Sequence, residues 1–492
     1  ASRAFMKLTL SKLPILLLLT AFACSNQTST AQPPANKPAS SAVAWSLYQQ
    51  YCINCHGNQM QGGSGSNLID DEWKHGSTPE AIYSSISAGI PNLGMPGYSE
   101  TLTKDQMVLL VQLIQNKTVP EIPEDKIQPK NSTSITTLDY EVFVEEWLGG
   151  MKSPWGLEFI DENTALLTEK EGGLRAITNI RTGAQLGPRI TGTPKVESAG
   201  QGGMLGLAID PEFAQNGWIY LSYSHNLPAE PDKALTRIVR GRVIENSWRD
   251  EQTLWEAPAK FYTSTRHHYG CRIVFAPEGT LFFAIGDRGN QKRAQDITDP
   301  AGKVHRINRD GSIPKDNPFL NTPGAFPSAY TIGNRNIQGM SFHPVLGTLW
   351  TLEHGPRGGD ELNLIQPGLN YGWPEITYGI NYNGSVITKE RVRPGLEQPI
   401  WYWRPSLGIC AADFYTGGEF PFWKNKLLAT SLANQTLRLL TIQDNRMIHE
   451  EIILSGRGRI RDVTSAPDGA IYVVLNGPDQ ILRLTAVEEK LQ

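Results

Sequence analysis

The chain has 492 residues, with 45 basic and 49 acidic side chains and a formal charge of −4. That length allows two or more domains, and a near-neutral balance without a long basic run excludes electrostatic binding of nucleic acid. Glycine (47), proline (33) and tryptophan (12) are abundant, which together with many short alternating apolar runs favours strands and turns over long helices.

In chain order, Met6 reads as the natural start, with Ala1 to Phe5 upstream of it. Lys7 and Lys12 are basic, Leu13 to Leu19 form an apolar core broken by Pro14, and Ala21-Phe22-Ala23-Cys24 follows. The apolar stretch is too short for a membrane-spanning helix and has the form of an export signal over residues 1–24. Ala-x-Ala suits an ordinary signal peptidase. A cysteine straight after the cut also resembles a bacterial lipoprotein box, although Ala21 stands where leucine is usual. Lipidation is the preferred reading because Cys24 has no other evident role. The expected location is periplasmic, either lipid-anchored to a bacterial membrane or soluble, with any membrane contact made through that anchor. Residues 25–42, rich in Ser, Thr, Gln, Pro and Ala, read as a flexible tether.

Residues 43–117 read as a small helical domain. Ala44 to Tyr48 lead as a helix into Cys52-Ile53-Asn54-Cys55-His56. A second helix runs from Pro79 to Ala88 with Ser77 or Thr78 as N-cap. Thr103 and Gln106 stand at capping-box spacing before a third, whose apolar face comes from Val108 to Ile114. In Cys-x-x-Cys-His the two thiols add to haem vinyl groups and the histidine reaches the iron from the same turn. A zinc site would need a second ligand pair, and none follows. A redox dithiol would lack its βαβ context and leave His56 unexplained. The sixth iron ligand is expected from Met95 in Gly94-Met95-Pro96-Gly97, since a thioether raises the haem potential; the alternative is that Met95 is simply core. Met60 is too close to the proximal turn, and Met107 lies on the last helix. This segment as a whole resembles class I cytochromes c. A linker, residues 118–134, carries three prolines. Of the five cysteines, Cys271 and Cys410 remain, as a disulfide permitted by export or as two buried thiols.

Residues 135–492 form one large domain with an internal repeat. Six times an apolar pair leads into a tight turn and a second strand, beginning near Phe159, Ala208, Phe275, Phe342, Phe414 and Ser465. The spacing of roughly 50 to 70 residues suits four-stranded blades with insertions. The expected fold is therefore multidomain: a small all-α cytochrome c domain followed by an all-β, six-bladed β-propeller. The alternative is an all-β sandwich with chance turns. His267 and His268 sit together just before a blade strand, a surface pair in the plainer reading. Arg335, Arg459 and Arg461 recur beside strands of the fourth and sixth blades. Propeller loops converge on the central channel, so arginines clustered there would suit a multiply anionic ligand. Each alone would otherwise be a surface ion-pair residue. Gly355-Pro356 offers adjacent backbone carbonyls, the hard oxygen donors that calcium accepts.

From about Trp155 to Leu484 the chain resembles the soluble pyrroloquinoline-quinone (PQQ)-dependent glucose and aldose sugar dehydrogenases. The residues that carry this are Gly333-Asn-Arg335-Asn336-Ile-Gln338-Gly339, Glu353-His-Gly355-Pro356-Arg-Gly-Gly-Asp360-Glu361-Leu-Asn363 and Asn370-Tyr371-Gly372-Trp373-Pro374. Support comes from Gln201-Gly-Gly-Met-Leu-Gly-Leu, His268 ahead of Arg272-Ile-Val-Phe, Gly286-Asp287-Arg288-Gly289 and Arg459-Ile-Arg461-Asp462-Val. The resemblance implies PQQ and Ca2+ as cofactors, beside the haem c read from Cys52, Cys55 and His56. It makes His268 the base that takes the anomeric proton, places Arg459 and Arg461 on the quinone carboxylates, and puts Arg335 and Asn336 at its reactive oxygens. Gln201 becomes a substrate or base contact, Gly355 and Pro356 the backbone ligands of the catalytic calcium, Glu361 and the Tyr371 carbonyl a structural calcium site, and Trp403 a wall of the substrate pocket. Some positions depart from the pattern: His267 stands where the glucose dehydrogenases have an acidic residue, a quinone-contacting lysine is replaced near Ala433 and Asn434, and Cys271 and Cys410 stand where small residues are usual.

The expected activity is PQQ-dependent oxidation of an aldose to its lactone, with electrons leaving through the fused haem to a downstream cytochrome or respiratory-chain acceptor. The alternatives are the same cofactor acting on sorbosone or another aldehyde or alcohol, or a non-catalytic binding propeller with a haem redox sensor.

Overall fold

A computed structural model of the chain describes residues 38–57, 59–63, 65–117, 134–270 and 272–489. The export signal with Cys24, most of both linkers and Cys271 lie outside the described residues.

The N-terminal domain contains α1 (Pro38–Tyr51), α2 (Ile53–His56), α3 (Pro79–Ala88) and α4 (Lys104–Gln115). The first helix starts five residues ahead of Val43. Of the two N-cap candidates for α3, Thr78 takes the role: its hydroxyl accepts from the Ala81 amide at 3.2 Å, and Pro79 occupies the first helical position, where no amide is needed. The capping box of α4 forms in both directions, with Gln106 N–H donating to Thr103 at 3.2 Å and Thr103 N–H donating to Gln106 at 2.9 Å. The apolar face of α4 starts at Met107 rather than Val108. Met107, Leu110, Val111, Leu113 and Ile114 are buried against Ala44, Leu47, Ile82 and Ile86, whereas Val108, one helical step of about 100° away, points outward. Among the described residues no helix is long and apolar enough to cross a membrane.

The large domain is the six-bladed propeller expected from the repeat. The six sheets begin with inner strands Pro154–Asp161, Met204–Ile209, Ile273–Phe275, Ile337–Phe342, Ile409–Phe414 and Arg459–Ser465. Every repeat start read from the sequence lies on one of these strands, at or near its end. What recurs there is the turn. Ala276 N–H donates to Thr280, and Ala466 N–H donates to Ala470 at 3.0 Å. The intervening Gly279 and Gly469 take φ of +89° and +85°, which a residue with a Cβ adopts at a cost. The ring closes when strand Tyr140–Leu148 pairs antiparallel with the C-terminal strand Gln480–Glu489, adding Val142 opposite Ala486 and Val144 opposite Leu484 to the sixth blade. That closure ties the start of the domain to its end within one sheet, leaving only the short edges of a propeller blade. Cores form between neighbouring blades; one joins Trp350, Leu352 and Leu362 of the fourth to Phe414, Leu427 and Leu440 of the fifth. Burying each such side chain contributes about 1.5–3 kcal/mol.

Candidate active site

The third and fourth blades build one half of the site. His268 lies just before the inner strand of blade three with φ of +56°, a left-handed conformation uncommon for a side-chain-bearing residue and typical of functional loops. Two contacts hold it. Its amide donates to Gln201 Oε1 at 2.8 Å, and its Nδ1 lies 2.6 Å from Asp287 Oδ1. Gln201 in turn donates its own amide to the Arg266 carbonyl at 2.7 Å, so this glutamine braces the histidine loop rather than standing apart from it. A carboxylate only accepts, so Nδ1 carries the hydrogen and Nε2 is left as the reactive nitrogen. Asp287 is fixed from two further sides, by the Gly289 amide and the Trp373 indole N–H, both at 2.8 Å. Burial, then the nearby Arg335, pull the His268 pKa below its ordinary value, with Asp287 opposing them. Although burial works against it, the carboxyl of Asp287 is held well below the usual carboxylate range by His268, Arg335 and its hydrogen bonds.

The sixth blade and the start of the fourth supply cations. Arg335 donates to the His354 carbonyl at 2.9 Å, and its guanidinium lies 5.3 Å from the Trp373 ring centre. Arg461 touches Asn476, Gln338 and the Cys410 thiol and lies over Trp155. Among the described residues Arg335, Arg459 and Arg461 form no ion pair; the nearby Asp462 is taken by Arg272 at 2.9 Å. Burial and Arg461 lower the Arg459 pKa to about 10. Lys170 is likewise pulled down to about 8, first by burial and then by Arg461. Among the described residues four buried nitrogens here have no partner: Arg335 Nε, Asn336 Nδ2, His354 Nε2 and Arg459 Nη1. Buried polar groups are nearly always satisfied, so this set fits a flat, oxygen-rich, multiply charged anion such as PQQ.

The calcium expectations divide in two. Glu353 and Glu361 are directly opposed across adjacent strands of blade four. Both carboxyls are pushed up, by burial and, for Glu361, by Glu353 as well. Asn363 Oδ1 beside them is buried without a partner. Two carboxylates and a spare carbonyl oxygen fit a hard divalent cation. Tyr371 is buried in the same blade, its hydroxyl bound to the Leu364 carbonyl at 2.6 Å. At Gly355 and Pro356 the donors are backbone oxygens; the Gly355 amide is fixed by Asp360 at 3.0 Å, and the Pro356 carbonyl already accepts from Ser406 at 2.8 Å. Among the described residues no group of three or more His, Cys, Asp or Glu side chains is placed to hold a metal.

The structure places Trp403 in a core between blades. This residue lies on strand Trp401–Trp403, the outermost of blade four, packed in the core with its indole N–H on Glu450 at 2.9 Å. Its large apolar ring is satisfied between blades, away from the channel. Among the described residues Cys410 is a free, buried thiol. The sequence reading gave no role to Asp287, His354 or Trp373, although all lie within the strings that carried the resemblance. For Asp287 a signal was present: a Gly-Asp-Arg-Gly turn directly after a strand of the same blade as His268.

The haem motif closes on itself. Cys52, Cys55 and His56 share one turn, and the Cys55 and His56 amides both donate to the Cys52 carbonyl. His56 Nδ1 lies 2.8 Å from the Ser66 carbonyl, which again puts the hydrogen on Nδ1 and leaves Nε2 for iron. Burial lowers the His56 pKa, as a neutral metal ligand requires. Met95 packs against the same core as Cys52 and pairs with Ile90 across a short bridge. These residues fit a covalent haem.

Comparison with known proteins gives two family matches. The glucose/sorbosone dehydrogenase family matches residues 151–484, and the cbb3-type cytochrome c oxidase subunit III family matches residues 40–114. The chain is 37% identical to the aldose sugar dehydrogenase YliI of Escherichia coli, over 70% of this chain and 92% of that protein. It is 28% identical to quinoprotein glucose dehydrogenase B of Acinetobacter calcoaceticus, over 76% and 92% respectively. The crystal structure of the soluble aldose sugar dehydrogenase from Escherichia coli in its apo form superposes with a TM-score of 0.66 at 36% identity, covering 70% of this chain and 99% of that one.

Proposed function

The chain belongs to the glucose/sorbosone dehydrogenase family and carries a cytochrome c domain ahead of its propeller; from that we propose that it is a quinohaemoprotein that oxidises an aldose at the anomeric carbon to the lactone. The observation that carries this reading is the meeting of an oriented base, His268 on Asp287, with the four unpartnered donor-bearing atoms of Arg335, Asn336, His354 and Arg459. The naming of one relative as a quinoprotein glucose dehydrogenase supports it.

Bound there, PQQ would supply the hydride acceptor, Ca2+ at Gly355 and Pro356 the Lewis acid, and the haem a one-electron exit. The chain's own residues do the rest. His268 Nε2 takes the anomeric hydroxyl proton, and the Asp287 carboxylate behind Nδ1 stabilises the imidazolium that results. Gln201 keeps the His268 backbone in its unusual conformation. Arg459 and Arg461 bind the quinone carboxylates, and Arg335 and Asn336 donate to its oxygen-bearing edge, where fixed donors in a buried site stabilise negative charge most. Fusion keeps the haem at high effective concentration. Export to a periplasm, with or without a lipid anchor at Cys24, would place the enzyme among extracytoplasmic sugars and respiratory acceptors.

The test is reconstitution with PQQ and Ca2+, a panel of aldoses, sorbosone and simple alcohols, and observation of the haem α band. Aldoses are expected to reduce the haem, and His268→Ala to abolish reduction with an unchanged haem spectrum. Failure of every substrate to reduce either the haem or an added dye would overturn the proposal. Reduction by sorbosone or alcohols alone would reassign the substrate.

A further inference from the structure

The rim of the propeller channel is in contact with the N-terminal domain at five places. The Arg266 amide donates to the Asn92 carbonyl at 3.1 Å. A Cβ on Gly94 would stand 3.1 Å from the His267 ring, and one on Gly63 would stand 2.6 Å from the Arg459 guanidinium carbon. The Arg357 guanidinium lies 4.6 Å from the centre of the Tyr51 ring. The Thr101 hydroxyl donates to the Asn383 carbonyl. These partners come from the loops of three blades, and they are the loops that carry the site. Arg266 and His267 immediately precede His268, Arg357 follows Pro356, and Arg459 is itself one of the unpartnered cations.

The haem side of the contact is equally specific. Asn92 and Gly94 belong to the loop that presents Met95, Tyr51 immediately precedes Cys52, and Gly63 lies against the Cys55 carbonyl. Both glycines leave room that any side chain would fill, so the backbone of the haem loops meets propeller side chains directly. The His267 ring then packs at 4.7 Å between centres on His268. The loop of the sixth iron ligand and the base are thereby separated by one imidazole. With the rim covered from three blades, the His268 side chain retains 13% exposure.

We propose that this rim is the docking surface of the chain's own haem domain, and that docking closes the mouth through which sugar must reach His268, so that the two occupy it in turn. The inference rests on the sugar dehydrogenase reading for the identity of what is excluded; the docking surface itself does not. In the docked state the loops that would hold the haem lie against the site it would drain, while in the undocked state the funnel is open to substrate.

The test is amide exchange on the haem-loaded full chain before quinone is added, read in peptides covering residues 90–95 and 264–269. Both are expected to be slow, and Arg357→Ala to accelerate both together by about tenfold, the scale of a partly desolvated cation–π contact. Thr101→Val is expected to do the same more weakly, and Arg357→Lys to restore part of the protection. Unchanged exchange at 264–269 in both Arg357→Ala and Thr101→Val, with the haem spectrum intact, would overturn the docking surface. After reconstitution, Arg357→Ala is expected to slow haem reduction while dye-linked sugar oxidation stays equal or rises; parallel loss of both would overturn the closure. A sugar analogue at concentrations that inhibit turnover is expected to speed exchange at 90–95. If exchange responds to the variants but no sugar reduces haem or dye, the docking surface stands and the substrate assignment fails.

Discussion

The haem turn and the propeller mouth each place one histidine by the same device, and the difference lies in what stands behind the ring. His56 gives its Nδ1 hydrogen to the Ser66 carbonyl at 2.8 Å, and His268 gives its own to the Asp287 carboxylate at 2.6 Å. Both are partly buried, and desolvation lowers both pKa values. A neutral carbonyl orients the ring without rewarding its protonation, which suits a metal ligand that must stay neutral. A carboxylate orients it and also stabilises the charged ring, which suits a base that must accept a proton and hold it through the reaction. The partner of Nδ1 therefore sets what Nε2 does.

Replacing Asp287 by asparagine tests this difference most severely. The ring keeps a neighbour of the same shape but loses the charge and, with an amide behind it, the tautomer that frees Nε2. The expected loss in kcat is about 10⁴-fold, by analogy with a hydrolase triad whose aspartate is so replaced. The carboxylate raises the His268 pKa against burial and Arg335, so removing it lowers that pKa further. The acid limb of kcat/KM should then move to lower pH in the residual activity. Steady-state profiles check both, and an unchanged haem α band shows that the effect is confined to the propeller. An unmoved acid limb with full activity would mean that Asp287 is only structural.

Met95→Ala probes the other side of the contrast. With His56 still held by Ser66, the proximal bond should persist and the sixth position should be lost. The midpoint potential is expected to fall, since a thioether ligand raises it, with each 59 mV worth tenfold in the one-electron equilibrium. Potentiometric titration and loss of the low-spin spectrum check this. Dye-linked sugar oxidation should be unchanged, because His268 and Asp287 are untouched.

How far each region was legible follows from how each is built. The haem site is one turn, so Cys52, Cys55 and His56 announce it by spacing alone. The propeller was legible through its turns, which recur because each blade must reverse the chain at the same place. The channel site is assembled from segments hundreds of residues apart, and there residue type alone did not decide. Arg335, Arg459 and Arg461 were singled out because they recur beside blade strands, and propeller loops converge on one channel. Asp287 and His354 went unassigned because an aspartate in a turn and a histidine after a strand have ordinary structural uses. The antiparallel pairing of Ile273–Phe275 with Leu281–Ile285 within blade three brings Asp287 onto His268. Trp403 was given to the pocket as an aromatic near a site string; its strand lies at the outer edge of the blade and its ring fills a core.

The smallest effect belongs to the carboxylate pair of blade four, where a charge problem sits one hydrogen bond from the site. Glu353 accepts from the Arg335 amide and from Asn334 Nδ2 at 3.1 Å, and it faces Glu361 across the strands. Both folded pKa values are raised above the ordinary 4.5, chiefly by burial. The cation-free folded state therefore holds protons that the unfolded chain releases above about pH 4.5, and its stability should fall as pH rises through the interval up to the raised values. A divalent cation bound by the pair reverses this by making the ionised form the favoured one. At a hundredfold excess over its Kd, Ca2+ should add about 2.7 kcal/mol. Glu361→Gln removes one of the two charges and one ligand. It should flatten the decline of Tm with pH in chelator and abolish the gain on adding Ca2+, a change of a few degrees in each case. Thermal melts between pH 5 and 8, with chelator and with Ca2+, check both signs. A variant whose melting still rises with Ca2+ as the parent's does would show that the cation is held elsewhere, and that Glu353 and Glu361 share a proton instead.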